Sequence, residues 1–262
     1  LGVVFIAVVV GLSMNKLGYG KDSVIYRFCE EVSKIIVVFL NFAVKKFGPV
    51  AIFMLLCRTF ATYGIHYLKP AVSYMVLCVA LLLAYLFIGY PLYAALVCKL
   101  NPYIFIKKIF KVIVFGFSTS SSAATLPLNL DTTTKELGVD RQIASFVLPL
   151  GMTINMDGTA IYQGVCAIFI AQIFGIDLNL SQQITIILTA TLASIGTAGV
   201  SGAGTIMLAM VLQSVNIPVE GIALVAGIDR LFDMGRTVVN ITGDAACAVI
   251  VSHMDDRSPA RK

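Results

Sequence analysis

Residues 229–244 read D-R-L-F-D-M-G-R-T-V-V-N-I-T-G-D, and they lie inside an otherwise apolar run, residues 222–251. That run is long enough to cross a lipid bilayer, which takes about 20 helical residues. At about 100° per residue, one helix face carries the following polar side chains: Asp229, Asp233, Arg236, Thr237, Asn240 and Asp244. Charged side chains at membrane depth are costly, so they face a partner or a water-filled cavity. Both charge signs beside an amide and a hydroxyl favour a ligand-binding face over a structural network of ion pairs between helices.

The composition of the chain is that of an integral membrane protein. Its 262 residues are 58% hydrophobic and 13% charged, with a mean hydropathy of +0.92, whereas average soluble domains carry about 25% charged residues. The net charge of +5 fits basic cytoplasmic loops, and we expect no nucleic-acid partner. The six cysteines are scattered singly, and the chain has only two histidines. We therefore expect neither a disulfide framework nor a zinc site.

The apolar segments predict an all-α membrane protein with several spanning helices. Residues 1–14 and 33–60 predict two helices, and residues 71–100 predict the cleanest spanning helix. The sequence starts inside an apolar run without Met or a signal peptide. We therefore expect further helices to precede it.

Two segments are typical of helical hairpins with small polar tips. Hairpin 1, residues 104–135, carries the tip S-T-S-S-S-A-A-T-L-P, and hairpin 2, residues 181–215, carries the tip S-I-G-T-A-G-V-S-G-A-G. Such tips disfavour a continuous helix. We expect re-entrant hairpins, because irregular backbone at membrane depth must line a cavity or be buried in protein.

Each hairpin is followed by a helix that carries a buried aspartate. Residues 142–174 are broken at T-I-N-M-D-G-T, and residues 220–252 contain the polar face already described. This repeat is typical of secondary transporters, whose sites lie between the repeats on broken helices. Basic residues in alternate loops place the mouth of hairpin 1 and the C-terminus in the cytoplasm, and the mouth of hairpin 2 outside. The hairpins can therefore meet at their tips.

The charges of the polar face predict a zwitterionic ligand. The planar guanidinium of Arg236 suits a carboxylate, and Asp233, less than one turn away, suits an ammonium group. An acidic amino acid satisfies both, with Asn240 and Thr237 as neutral hydrogen-bonding groups. The alternative is an ion pair between Asp233 and Arg236, which can describe the empty state.

Carboxylates and amides on two helices also predict a cation site. Asp157 and Asp244 lie beside Asn155 and Asn240 respectively. Carboxylate, amide and carbonyl oxygens suit a hard cation, and few formal charges favour Na⁺ over Ca²⁺. Protonation of a buried carboxylate is the rival hypothesis.

Four motifs give the chain a specific resemblance to a known family. In this order, S-S-S-A-A-T-L-P, N-M-D-G-T, S-I-G-T-A-G-V-S-G-A-G and D-M-G-R-T-V-V-N-I-T-G-D resemble the signature segments of the glutamate/aspartate transporter family, the dicarboxylate/amino acid:cation symporters. The resemblance implies an inverted repeat and a homotrimer in membrane lipid, in which a transport domain moves like an elevator against a scaffold. It implies co-transported Na⁺ and no organic cofactor.

The resemblance also implies residue roles. Substrate-binding residues are expected at Ser120, Ser121, Ser122, Thr159, Val200, Gly204, Asp233, Arg236, Thr237 and Asn240. One sodium site is expected at Gly151, Asn155, Asn240 and Asp244; a second at Thr153, Ser194, Ile195 and Thr197; and part of a third at Asn155 and Asp157.

We therefore predict three regions of the chain. Residues 1–100 hold the end of the scaffold and a transmembrane helix that leads into the core. Residues 101–254 form the transport core, with hairpin 1, the broken helix 142–174, hairpin 2 and the last helix 220–252. Residues 255–262 form a cytoplasmic tail. We expect a multi-pass protein of the plasma membrane, a bacterial or archaeal inner membrane, with a cytoplasmic C-terminus.

Four residues depart from the family pattern. Ser120 and Met234 stand where members often carry a second arginine, which puts potassium coupling in question. Gln163 stands where proton-coupled animal relatives have a glutamate, so proton cotransport by that route is not expected. Ser201 replaces a tip proline.

We predict a sodium-coupled symporter for L-aspartate or L-glutamate, and not an enzyme. A proton-coupled or C4-dicarboxylate carrier of the same family stays open, although Asp233 argues against a substrate without an ammonium group. A fragment without transport activity also stays open, because the family's first helices are not in the sequence. An intramembrane enzyme with Asp157 and Asp233 as its acid pair would leave Arg236 and both hairpins unexplained.

Overall fold

The computed structural model describes residues 2–19, 22–63, 68–195, 197, 199 and 202–256 of the chain. Every regular element within these residues is helical, which confirms the predicted all-α class. The chain divides into two compact units, residues 1–58 and residues 59–262. The first unit holds helix α1 (Gly2–Lys16) and most of helix α2 (Val24–Tyr63). Large apolar side chains such as Leu12 and Phe39 are exposed on it.

The second unit begins with a helix that is interrupted by a π-helical turn. Helix α3 (Leu68–Ala84) continues through Tyr85–Gly89 into α4 (Tyr90–Cys98). The sequence predicted one regular helix over this segment, because its apolar residues run on without a break. Single π-helical turns are frequent at functional sites, and two tyrosines at this one, Tyr85 and Tyr90, contact Asp157, a residue of the expected sodium sites.

Hairpin 1 consists of α5 (Pro102–Thr119) and α6 (Ser122–Lys135). The chain reverses at Ser120, whose φ of 50° is left-handed, and at Ser121, whose hydroxyl accepts from the amide of Ala124. Residues other than glycine adopt left-handed backbone only rarely, and such positions cluster at functional sites. Hairpin 2 consists of α9 (Leu180–Ile195) and α10 (Ala203–Ser214).

The broken helix consists of α7 (Arg141–Ile154) and α8 (Asp157–Ile173). A short helix α11 (Ile222–Ala226), after a 3₁₀ turn (Val219–Gly221), precedes the last helix α12 (Asp229–Asp256). The sequence predicted one helix over residues 220–252, whereas the chain turns before Asp229. Gly227 is a poor helix former, and an acidic residue is favoured at a helix N-terminus. Asp255 and Asp256 are still helical, and the rest of the predicted tail lies outside the described residues.

Helix α12 is the central helix of the second unit and packs mainly against helices that precede hairpin 2, including α5, α7 and α8. Its apolar side chains, such as Phe232 and Ile241, are buried. The backbones of α8 and α12 approach closely at Gly158, where a Cβ atom would lie 2.8 Å from the carbonyl oxygen of Arg236. This close approach places the N-terminus of α8 against the polar face of α12.

Within the described residues, two helical stretches are long and apolar enough to cross a membrane. They are Pro70–Cys98, with a mean hydropathy of 2.5, and Asp229–Asp255, with a mean hydropathy of 1.3. In the second, 67% of the apolar window is buried inside the protein. Protein therefore encloses the polar face of α12.

Candidate functional site

Most of the predicted substrate residues line one small cavity between the two hairpins, α8 and α12. The cavity is lined by Ser120, Ser122, Met156, Thr159, Thr197, Gly199, Gly204, Asp233, Arg236, Thr237 and Asn240. Its volume is about 20 Å³, which is room for about one water molecule. The structure therefore shows a closed site, in which side chains must move before an amino acid can enter.

Arg236 lines this cavity and is only 2% exposed, so its charge is almost completely buried. Its Nη2 donates to Asp233 Oδ1 at 2.7 Å and lies 3.4 Å from Asp229 Oδ1. The guanidinium carbon lies 4.1 Å from the ring centroid of Tyr162, within the range of a cation–π contact. The ion pair between Asp233 and Arg236, which their i,i+3 spacing allowed, is therefore formed.

Two buried polar atoms of the cavity lining have no hydrogen-bond partner among the described residues: Nη1 of Arg236 and Oγ of Ser120. Nη1 points towards hairpin 2, where a Cβ atom on Gly204 would lie 2.8 Å from it. Buried polar groups are normally hydrogen-bonded, and exceptions call for an explanation. A ligand oxygen that enters this cavity would satisfy both atoms.

Asp233 links α12 to hairpin 2. Its Oδ1 pairs with Arg236, and its Oδ2 accepts from the Gly202 amide at 3.2 Å and lies 3.6 Å from Nη1 of Arg230. An ammonium group that binds Asp233 must therefore compete with these donors.

Asn240 on α12 contacts the first turn of α8 and the residue before it, Met156. Its Oδ1 accepts from the Gly158 amide at 2.9 Å, and its Nδ2 lies 3.1 Å from Met156 Sδ and 3.3 Å from Thr159 Oγ1. A thioether is a weak acceptor, so a ligand oxygen can replace it at little cost.

The residues of the first expected sodium site converge at the end of α7. Nδ2 of Asn155 donates to the Asn240 carbonyl at 3.1 Å and to Asp244 Oδ1 at 2.9 Å. A Cβ atom on Gly151 would lie 2.5 Å from the same Oδ1, so only glycine allows this approach. Rotation of the Asn155 amide would present its oxygen instead, which would complete an oxygen-rich site for a hard cation.

The residues of the second expected site lie at the end of α9 and the end of α7. The hydroxyls of Ser194 and Thr197 donate to carbonyls of α9, and that of Thr153 donates to the Leu150 carbonyl. Their oxygen lone pairs remain able to bind a cation. Ser194 and Ile195 share a cavity of about 420 Å³ with Asn155 and Asp157, which joins the second expected site to part of the third.

Asp157 is held by two tyrosines of the interrupted helix. The hydroxyls of Tyr85 and Tyr90 donate to its Oδ2 at 3.2 and 2.9 Å. Sequence reasoning could not identify these tyrosines, because nothing in the apolar run marks the π-helical turn that brings them to Asp157.

A family model described as the sodium:dicarboxylate symporter family matches residues 1–254. The chain belongs to this family. The resemblance inferred from the four motifs is therefore confirmed.

The family includes several similar curated proteins. An excitatory amino acid transporter of Caenorhabditis elegans is 40% identical over 257 residues, 97% of this chain and 50% of the relative. Excitatory amino acid transporter 5 of Homo sapiens is 36% identical over 263 residues, 100% of this chain and 47% of the relative. A proton/sodium-glutamate symport protein of Bacillus caldotenax is 36% identical over 252 residues, 96% of this chain and 59% of the relative. The chain thus spans about half the length of these relatives.

The two hairpins of this symporter-family chain touch at their tips. The Ser121 hydroxyl and the Ala123 amide both donate to the Gly199 carbonyl, at 3.1 and 3.2 Å. Ser121 does not line the small cavity, because its hydroxyl is used in this contact and in capping α6. Val200 lies outside the described residues.

Sequence reasoning assigned no ligand role to three other residues at the site. Tyr162 lies under the guanidinium of Arg236, and the side-chain amide of Gln163 donates to the Gly204 carbonyl at 3.1 Å. Thr205 donates to Asp229 at 2.6 Å. The helical spacing of Tyr162 and Gln163 after Thr159 is a sequence signal for both, and Gln163 also stood out as a departure from the family pattern.

Proposed function

We propose that this chain forms the substrate- and ion-binding part of a sodium-coupled symporter for acidic amino acids, L-aspartate or L-glutamate. The observation that carries the proposal is the pair of buried, unsatisfied atoms in the closed cavity, Arg236 Nη1 and Ser120 Oγ, beside the carboxylate of Asp233. Relatives named as excitatory amino acid transporters and as a proton/sodium-glutamate symport protein support the same substrate class.

The substrate replaces the ion pair of the closed cavity with two equivalent ion pairs. The side-chain carboxylate binds Arg236, and the α-ammonium group binds Asp233, so neither buried charge loses its partner. This matters because an uncompensated buried charge costs several kcal/mol. The α-carboxylate binds the tip of hairpin 1 at residues 120–122. The remaining contacts come from Thr159, Val200, Gly204, Thr237 and Asn240.

Sodium ions bind next to the substrate as co-transported cargo. Gly151, Asn155, Asn240 and Asp244 supply one site, and Thr153, Ser194, Ile195 and Thr197 supply the second. Asn155 and Asp157 supply part of the third. Asn240 belongs to both the substrate cavity and the first ion site, and Thr197 lines the cavity and belongs to the second. A shared ligand of this kind makes the affinities for sodium and substrate interdependent.

Transport proceeds by alternating access with the hairpins as re-entrant gates. Residues 101–254 form the core that moves like an elevator, and residues 1–100 connect it to the scaffold of a homotrimer. The protein lies in the plasma membrane as a multi-pass protein with a cytoplasmic C-terminus, and its assignment to a bacterial or archaeal inner membrane stays a prediction.

The alternatives are less well supported. The amide of Gln163 cannot carry a proton as a carboxyl group does, and Asp233 would repel a dicarboxylate without an ammonium group. The family is one of transporters, so the intramembrane-enzyme hypothesis is dropped. A non-transporting fragment would still be expected to bind sodium and substrate.

Substrate selectivity of an Arg236→Cys variant tests the proposal. We expect sodium-dependent binding of L-aspartate by the wild-type protein, with succinate and L-serine much weaker. Removal of the guanidinium should weaken L-aspartate binding by about 100-fold and shift preference towards L-serine. Isothermal titration with the three ligands measures this, and unchanged selectivity would remove Arg236 from its role.

A further inference from the structure

Asp229 connects hairpin 2 to the cation of the substrate site. It is the first residue of α12, and its side chain is 13% exposed. Its Oδ2 accepts a hydrogen bond from the Thr205 hydroxyl at 2.6 Å, and its Oδ1 lies 3.4 Å from Nη2 of Arg236. One carboxylate therefore contacts hairpin 2 with one oxygen and the guanidinium with the other.

Thr205 uses its hydroxyl differently from two threonines on the other arm of hairpin 2. Thr185 and Thr191 donate to carbonyls one turn earlier in α9, at 2.9 and 2.8 Å, which is the usual local bond of a helical threonine. Thr205 lies in the first turn of α10 and donates across to α12. Hydrogen bonds to an ionised acceptor are about twice as strong as neutral ones. The hydrogen bond between Thr205 and Asp229 therefore links hairpin 2 to α12.

Two neighbouring hydrogen bonds hold the same part of hairpin 2, and both use its backbone. The Gly202 amide donates to Asp233, and the Gly204 carbonyl accepts from Gln163. Thr205 adds a side-chain contact to this set. Substitution of Thr205 can therefore remove this one hydrogen bond and leave the two backbone hydrogen bonds in place.

The charge balance links this bond to the substrate. In the closed cavity one guanidinium faces the carboxylates of Asp229 and Asp233. A substrate carboxylate on Arg236 competes with Asp229 for the guanidinium, while the substrate ammonium group binds Asp233 beside Arg230. The Thr205 hydroxyl then contributes more of the stabilisation of Asp229, and in this closed arrangement it donates to Asp229 at 2.6 Å.

We propose that Thr205 is a positioning residue that couples closure of hairpin 2 to the binding of an acidic substrate at Arg236. The proposal rests on the proposed function, because it takes Arg236 as the carboxylate ligand and hairpin 2 as a gate. The new element is Thr205, which sets the substrate concentration at which hairpin 2 closes.

Substitution of the Thr205 hydroxyl tests the coupling. Thr205→Val keeps the shape and removes the donor, whereas Thr205→Ser keeps the donor. The Kd for L-aspartate is measured at saturating Na⁺ on the purified protein. Closure is followed by the distance between spin labels at the exposed positions Ile206 on α10 and Val114 on α5, after replacement of the native cysteines.

We expect Thr205→Val to raise both the Kd and the L-aspartate concentration for half-closure by about tenfold, and Thr205→Ser to restore both. Thr185→Val is the matched control, because it removes a hydroxyl that bonds within its own helix. It should leave both values at the wild-type level. If Thr205→Val does not fold, Thr205→Ala replaces it under the same criteria.

A double-mutant cycle with Asp229→Asn separates the bond from a general packing effect. The proposal expects the loss from Thr205→Val to be much smaller in the Asp229→Asn background. Additive losses, or wild-type Kd and closure in Thr205→Val, overturn it. Absence of sodium-dependent L-aspartate binding by the wild-type protein overturns the proposed function instead.

Discussion

The side chains around Arg236 show how single residues keep a buried cation ready for a ligand. Asp233 and Asp229 neutralise the guanidinium, and the ring of Tyr162 covers one face. The polar face of α12 could be predicted, because the spacing of a single helix determines it. The contacts with Tyr162 and Thr205 could not, because they depend on how α8 and hairpin 2 are placed against α12.

Gly204 provides the space for the unpaired arm of the guanidinium. A Cβ atom there would lie 2.8 Å from Arg236 Nη1 and 3.1 Å from Cγ2 of Thr159. Gly204→Ala should therefore displace the guanidinium and weaken L-aspartate binding about tenfold or more, as measured by titration at saturating Na⁺. Gly164→Ala in α8 is the control, since no atom lies within 4 Å of the added methyl group. Equal affinities of the two variants would contradict the observed geometry.

Gln163 holds hairpin 2 through a hydrogen bond that does not depend on pH, since its amide always donates to the Gly204 carbonyl. A carboxyl group at this position can donate only when it is protonated. Gln163→Glu should therefore bind L-aspartate well at low pH and lose affinity as pH rises, relative to the wild type. Titrations between about pH 5 and pH 8 measure the difference in slope. Parallel pH profiles would show that this bond does not control closure.

The helices illustrate what sequence periodicity can and cannot predict. Both hairpins and the broken helix could be predicted, because glycine, serine and threonine clusters interrupt apolar runs. The π-helical turn at Tyr85–Gly89 and the turn before Asp229 could not be placed, because long apolar runs continue through both. A meeting of the two hairpin tips was expected, although spacing alone could not identify Ser121 and Gly199 as the residues that touch.

The π-helical turn has a consequence for the ion sites, because it brings the Tyr90 hydroxyl to Asp157 at 2.9 Å. Loss of one hydrogen bond to a carboxylate costs about 1.5–3 kcal/mol. Tyr90→Phe should therefore lower the apparent Na⁺ affinity about tenfold, as measured by the sodium dependence of L-aspartate binding. Tyr93→Phe is the control, because Tyr93 is 57% exposed. An unchanged sodium dependence in Tyr90→Phe would separate Asp157 from the ion sites.

At the scale of the whole molecule, the chain combines a substrate cavity and predicted ion sites within the second compact unit. Under the proposed function, α12 and α8 carry more carboxylates than cations at the site, and an acidic amino acid adds a further net negative charge. Bound sodium ions would supply the compensating positive charge. The scaffold role of residues 1–100 and the homotrimer stay predictions.

Sodium-driven accumulation of L-aspartate tests the central claim most directly. The protein is reconstituted in liposomes, and uptake of radiolabelled L-aspartate is compared under an inward Na⁺ gradient and under an equal choline gradient. We expect concentrative uptake with Na⁺, little uptake with choline, and loss of the Na⁺-driven uptake in Asp244→Asn. Uptake that is the same with Na⁺ and with choline would contradict sodium coupling.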